Sequence, residues 1–439
     1  MDLLKNIFKG DKVIWIIFLC LCLISIIEVF SAASTLTYKS GDHWGPITQH
    51  SIILMVGAVV VVFLHNVPYK WFQVFPVFLY PVSLVLLAFV TLMGIITGDR
   101  VNGAARWMTF MGLQFQPSEL AKMAVIIAVS FILSKKQDEY GANPKAFKYI
   151  MILTGLVLIL IAPENLSTAM LLFGVVFMMM FIGRVAAKKL LLLAGGLVLI
   201  VALGVGTVVA IPAKTLHNTP GLHRLETWQN RIKGFFDKDE VPAAKFDIDK
   251  DAQIAHARIA IATSHVVGKG PGNSIQRDFL SQAFSDFIFA IVIEEMGLIG
   301  GIFVVFLYLC LLMRAGRIAQ KCERTFPAFL VMGIALLLVS QAILNMMVAV
   351  GLFPVTGQPL PLVSKGGTST LINCAYIGMI LSVSRYTAHL EEQKEHDAQL
   401  QLQIETNAAD SEAQAAAEPT AQILNSDAKF EDENDINKG

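Results

Sequence analysis

Ser285-Asp286-Phe287-Ile288-Phe289-Ala290-Ile291-Val292-Ile293 sets a single carboxylate at the seam between a long polar segment, residues 212–285, and an apolar run. The chain that carries it is 55% hydrophobic and only 15% charged over 439 residues, with a mean hydropathy of +0.62. That composition excludes a water-soluble globular protein of this size and puts the apolar run in a membrane. An acid at the edge of such a run is either paired or used.

Working outward from this seam, stretches of about 20 apolar residues, enough to cross a ~30 Å hydrocarbon core, recur along the sequence. Ten are expected, near residues 13–32, 47–65, 74–96, 118–134, 146–162, 166–183, 189–211, 285–313, 327–351 and 366–385. The fold class is therefore an all-α polytopic membrane protein, with a large extracytoplasmic loop between helices 7 and 8. If residues 1–12 are cytoplasmic, the inner short loops hold fifteen Lys and Arg and the outer ones four: Lys39, Arg100, Arg106 and Lys365. That bias fixes the orientation and places both termini inside. The first span reads as an uncleaved signal-anchor helix.

The formal net charge of zero hides an asymmetry, because from Glu391 onward thirteen acids face three lysines. Residues 387–439 are expected to be an acidic, disordered cytoplasmic tail. The five cysteines lie in spans or in an inner loop, so no disulfide framework is implied. No repeat of 20 to 50 residues organises the chain, and nothing in it calls for nucleic acid.

Four outer segments break the membrane pattern. The first runs from Asn102-Gly103-Ala104-Ala105-Arg106-Trp107 to Gln116-Pro117-Ser118-Glu119-Leu120-Ala121-Lys122. Pro117 suits the first turn of a helix, and Glu119 and Lys122, three residues apart, share one face. They are either a self-neutralising pair or the wall of a polar cavity. The second, Pro163-Glu164-Asn165-Leu166-Ser167-Thr168, reads as a turn with Asn165 or Ser167 capping the next helix. The third, residues 212–285, carries Arg224 and Arg231 on an amphipathic stretch, a helical pattern over 251–264 and the glycine-rich turn Gly268-Lys269-Gly270-Pro271-Gly272-Asn273. That turn lacks the spacing of a nucleotide loop. The fourth, residues 351–367, has too many prolines and glycines for a helix and reads as a rigid re-entrant or surface loop walling the same cavity as Asp286.

Taken together, these motifs resemble the SEDS family (shape, elongation, division and sporulation) over residues 13–386. They are Asn102-Gly103-Ala104-Ala105-Arg106-Trp107, Gln116-Pro117-Ser118-Glu119-Leu120-Ala121-Lys122, Ser285-Asp286-Phe287-Ile288-Phe289-Ala290 with Glu294-Glu295-Met296-Gly297, and Pro359-Leu360-Pro361-Leu362-Val363-Ser364 with Gly366-Gly367. The resemblance implies a ten-helix peptidoglycan glycosyltransferase of the bacterial cytoplasmic membrane. Such an enzyme polymerises lipid II on the outer face beside a class B penicillin-binding protein transpeptidase. The division type, acting at the septum with other divisome proteins and membrane lipid, is the nearer of its branches.

The acid before Phe-Ile-Phe-Ala is the family's catalytic residue, which places that role on Asp286 as general base for the attacking sugar hydroxyl. Arg106 and Lys122 are the candidates for neutralising the departing lipid pyrophosphate, with Arg224, Arg231 or a divalent cation such as magnesium or manganese as additions. Glu119 orients Lys122 or contacts substrate, and Ser364 is a further substrate-binding candidate. The chain departs from the family pattern at Asn165, where an acid is usual, at Lys365, where tyrosine is common, and in Ser281-Gln282-Ala283-Phe284. The residues alone leave three alternatives open: a flippase for the lipid-linked precursor, a scaffold without catalysis, and the elongation type.

Overall fold

A computed structural model describes residues 9–32, 45–96, 107–110, 113–138, 141–211, 229, 252–280 and 284–436. The chain divides into two units, Met1–Arg385 and Tyr386–Gly439. The first is helical, and its spans fall where the apolar runs predict: α1 Lys12–Ala32, α2 Gly45–Asn66, α3 Phe75–Ile96, α4 Pro117–Lys135, α5 Pro144–Ile161, α6 Leu166–Ile182 and α7 Ala187–Ala210. After the short α8, Ala252–Ala262, come α9 Ile288–Lys321, α10 Thr325–Ala349 and α11 Gly367–Ile436. Among the described residues, nine of these helices are long and apolar enough to cross a membrane. The remaining one at an expected span, α6, has 17 residues.

Local chemistry explains several boundaries. Pro117 opens α4, where its missing amide hydrogen costs nothing. Asn165 caps α6 by accepting the Thr168 amide at 3.2 Å, and Asn143 does the same for α5 through Lys145. Two hairpins complete the connections. Strands β1 Met108–Phe110 and β2 Leu113–Phe115 pair antiparallel just before α4. Strands β3 Gln137–Asp138 and β4 Gly141–Ala142 pair antiparallel just after it.

The interior is built on α4, α9 and α10. Ala121, Ala124, Val125, Ile126 and Ile127 of α4 are fully buried, as are Leu330, Val331, Ile334 and Ala335 of α10. By contrast α7 presents Leu191, Leu192, Val198 and Ile200 outward at 68–80% exposure. A helix apolar on every side and so exposed is solvated by lipid rather than by protein.

The eighth span is not one continuous rod, because Gly297 within α9 has φ 72° and ψ −175°. The part beyond it, Leu298 to Lys321, has 24 residues and at 1.5 Å each reaches about 36 Å, enough to span unaided. Residues 288–296 are thus a separate half-helix at one end of the bundle. In the tail α11 runs to Ile436, with residues 391–409 exposed. Glutamate, glutamine, alanine and leucine dominate there, and all are strong helix formers.

Candidate functional site

Asp286 sits in the turn immediately before the half-helix, partly exposed, with Phe287 as N-cap. Its carboxylate accepts from Ser285 Oγ at 3.1 Å. The backbone around it is held on both sides. The Asp286 carbonyl accepts from Asn345 Nδ2 at 2.9 Å, the Ser285 carbonyl from Ser364 Oγ at 2.7 Å, and the Phe284 carbonyl from the Lys365 amide at 2.9 Å. Three consecutive carbonyls are therefore pinned while the Asp286 side chain keeps access. Such fixing is what a reacting carboxylate needs, since misplacement by about 1 Å can cost on the order of 10²-fold in rate.

The holding groups belong to the loop 351–366 and to α10. Asn345 Nδ2 also donates to Gln358 O at 2.8 Å, Gln358 Nε2 to Thr168 Oγ1 at 2.6 Å, and Gln341 Nε2 to Pro359 O at 3.0 Å. The loop enters the bundle: Leu360, Leu362 and Val363 are buried, Tyr308 OH donates to Pro361 O, and Ser25 Oγ donates to Val363 O at 2.7 Å. Irregular backbone at such depth is viable only with its polar groups satisfied, and these side chains satisfy them. Residues 360–364 of the segment are buried in the bundle rather than lying on its surface. Leu362 adopts φ 65°, a left-handed turn held by the amide of Leu360 bonding Ser364 Oγ at 2.8 Å. Ser364 is 3% exposed, so its hydroxyl is a brace for the Asp286 turn.

Glu119 and Lys122 form the ion pair their spacing predicts, 2.8 Å apart and 2% and 0% exposed. Lys122 Nζ also donates to Gln341 Oε1 at 2.9 Å. The pair is thereby joined, through Gln341 and the Pro359 carbonyl, to the loop that holds Asp286. It faces protein, not an open pathway. The cavity lined by Pro117, Ser118, Glu164 and Asn165 holds about 20 Å³, room for a water but not for a sugar. Arg106, Arg224 and Arg231, the remaining candidates, lie outside the described residues. Among the described residues, no three His, Cys, Asp or Glu side chains come together to hold a metal ion.

What the sequence reading passed over is how the half-helix is fastened. Breaking α9 at Gly297 frees backbone groups on either side, and residues 265–270 supply their partners. Lys269 N donates to Glu294 O at 3.0 Å and Gly270 N to Glu295 O at 2.8 Å, while Leu298 N and Ile299 N donate to His265 O and Val266 O at 3.3 Å each. The approach is so close that a Cβ on Gly268 would stand 2.3 Å from Glu295 O, and one on Gly297 2.3 Å from Val266 O. Both glycines have positive φ, 82° and 72°, a second reason no other residue fits.

The side chains of Glu294 and Glu295 finish the joint. Glu294 binds Lys269 Nζ at 2.6 Å, Ser274 Oγ at 2.5 Å and the Ile275 amide at 3.2 Å. Glu295 accepts from the Gly272 amide at 2.9 Å and the Ser274 amide at 3.2 Å, and from Ser31 Oγ of α1. Both are fully buried, and buried carboxylates persist only with such partners. The signal for this was present as two adjacent acids in an apolar run.

A polytopic all-α membrane protein with a carboxylate on a braced turn at one end of the bundle is the class that fold and site define. Residues 11–389 match the FtsW/RodA/SpoVE family, described as cell cycle proteins, and the chain belongs to that family. It is 32% identical over 390 residues to a probable peptidoglycan glycosyltransferase FtsW of Trichlorobacter lovleyi, covering 88% of this chain and 96% of that one. With a protein of the same name from Halomonas elongata it shares 31% over 373 residues, 83% of this chain and 88% of that one. Among solved structures it resembles a chain of a peptidoglycan synthase complex that coordinates polymerization and crosslinking. That likeness has a TM-score of 0.67 at 24% identity, over 87% of this chain and 99% of that one. The rod shape determining protein RodA of Thermus thermophilus matches with a TM-score of 0.58 at 24% identity, over 87% and 98%. At these identities the structural matches speak for the fold.

Proposed function

We propose that the protein is a peptidoglycan glycosyltransferase of the division type, joining lipid II units into glycan strands at the outer face of the cytoplasmic membrane. The observation that carries this reading is the turn at Asp286: three consecutive carbonyls pinned by Asn345, Ser364 and Lys365, and an accessible carboxylate between them. A polymerase of this kind needs a positioned base to take the proton of the acceptor hydroxyl as it attacks the anomeric carbon of the lipid-linked donor. A group so placed contributes about 10²–10⁴-fold. Asp286 acts as that base. The Glu119–Lys122 pair, tied to the same loop through Gln341, holds the scaffold and is not a second catalytic pair. Positive charge for the leaving pyrophosphate comes from Arg106, Arg224 or Arg231 in the outer segments.

The FtsW names of the relatives support the division type, and action at the septum belongs to that reading. The transpeptidase partner, both termini on the cytoplasmic side, and a membrane domain over residues 13–386 with a separate tail belong to the same reading. Proteoliposomes supplied externally with labelled lipid II, in the presence of a class B penicillin-binding protein, separate this activity from a flippase. Glycan polymer formed on the outside supports the polymerase. Translocation of lipid II without polymer overturns it.

A further inference from the structure

At the far end of the bundle from Asp286, cations gather in a way the polymerase reading does not use. The two ends are related through α10. Its Asn345 holds the Asp286 turn, while its first residue, Thr325, bonds Ser134 of α4 at 2.8 Å. Thr325 and Asn345 stand 20 residues apart along this helix, a separation of about 30 Å. The charge bias of the loops assigns this far end to the cytoplasmic side.

Here two turns lock together. Gly141, at φ 132°, lets the β3–β4 hairpin approach the turn after α6 so closely that a Cβ would stand 2.6 Å from Arg184 O. The Ala142 amide donates to that same oxygen at 3.2 Å. Arg184 itself is left-handed, φ 53°. Lys189 Nζ reaches back to the Pro144 carbonyl at 3.3 Å and lies over the Phe147 ring, 5.4 Å from its centre. Lys136 lies over the Tyr149 ring at 5.9 Å. These contacts bring Lys136, Lys145, Lys148, Arg184, Lys188 and Lys189 to one corner, the last five from the start of α5 and the start of α7 with its preceding turn. Lys145, Lys148, Arg184 and Lys188 are exposed. Among the described residues of the two turns the sole carboxylate is Asp138, which accepts from Asn143 Nδ2 at 3.0 Å, and none of the six cations makes an ion pair.

Directly along the helix from these cations, α5 carries an outward stripe, Tyr149, Ile152, Leu156 and Ile159, exposed at 49–70%, and α7 carries Leu191 and Leu192 at 77% and 80%. We infer that this corner binds the headgroup of an anionic glycerophospholipid of the inner leaflet, with its phosphate among the cations and its acyl chains along the apolar stripes of α5 and α7. Basic clusters at helix ends on the cytoplasmic side suit lipid phosphates, and an aromatic at the headgroup level, here Tyr149, suits the interface. A phosphate among the cations offsets their mutual repulsion. An aqueous polyanion would use none of the apolar surface that adjoins the cations.

Native mass spectrometry of the full chain, titrated separately with cardiolipin, phosphatidylglycerol and phosphatidylethanolamine, tests this. Retention of the two anionic lipids over phosphatidylethanolamine by at least about tenfold is expected. The variant Lys145→Gln/Lys148→Gln/Lys188→Gln/Lys189→Gln should lose that preference, while Arg317→Gln/Lys321→Gln/Arg324→Gln, neutralised at another inner loop, should keep it. Equal retention of all three lipids overturns the inference, and so does an equal loss in both variants, which would mean unlocalised charge. If the quadruple variant does not give a monodisperse protein, Lys145→Gln/Lys188→Gln replaces it, with a smaller loss expected and none contradicting the site.

Discussion

Asn345 gives the sharpest single test of how the site is held. Replacing it by leucine keeps the volume but removes one amide that donates to two carbonyls, Asp286 O at 2.9 Å and Gln358 O at 2.8 Å. Each carbonyl left without its donor in a water-poor site costs about 1–2 kcal/mol, so the variant should lose about 2–4 kcal/mol of stability. The turn does not come free, because Ser364 and Lys365 still hold the Ser285 and Phe284 carbonyls. The carboxylate is then displaced rather than released, and a shift on the order of 1 Å lowers turnover by about 10- to 100-fold.

The assay is strand formation from labelled lipid II by equal amounts of folded protein in complex with a transpeptidase. The thermal midpoint is read on the same samples. Turnover should fall much more than apparent affinity for lipid II, since substrate contacts are untouched. Wild-type turnover in a folded Asn345→Leu protein, at a lowered thermal midpoint, would refute the argument that this amide positions Asp286.

Three further outcomes follow from the same contacts. Gly297→Ala puts a methyl 2.3 Å from Val266 O at a positive φ and should lower stability by about 2–4 kcal/mol, read as a fall in the thermal midpoint larger than that of Gly316→Ala, where the space is open. Glu119→Gln alone strands the Lys122 ammonium and should cost about 3–5 kcal/mol, whereas Glu119→Gln/Lys122→Met removes both charges and should regain most of it in the same thermal measurement. Lys365, whose ammonium burial holds below the ordinary lysine value, carries a cost that is full at neutral pH and fades as pH rises through its lowered value. Lys365→Met should therefore be the more stable protein at pH 7, with the gap in thermal midpoint narrowing towards pH 10.5.

The spans were legible because each needs only a run of apolar residues, and the starts at Pro117 and Asn165 because caps act locally. The break at Gly297 was not, since hydropathy runs unchanged across it and its partners, His265 to Gly270, lie some thirty residues upstream. Only the coincidence of Gly297 with Glu294 and Glu295 hinted at it. Gln341 and Asn345 stand four apart on one face of an apolar helix, and polar residues so placed are a signal for function or bracing. Their role emerges once the proline-rich loop is seen to fold back beside them. Glu119 and Lys122 were legible as a pair, but not as a buried one, because spacing fixes which face they share and not what covers it.

The central claim is that the Asp286 carboxylate performs the proton transfer, and Asp286→Asn tests it most directly. The amide keeps the shape of the side chain and every backbone bond of the turn, so the protein should fold, hold its transpeptidase partner and bind lipid II. Glycan-strand formation from labelled lipid II should fall by at least about 10²-fold. Strand formation by the purified Asp286→Asn complex at the wild-type rate would contradict the account.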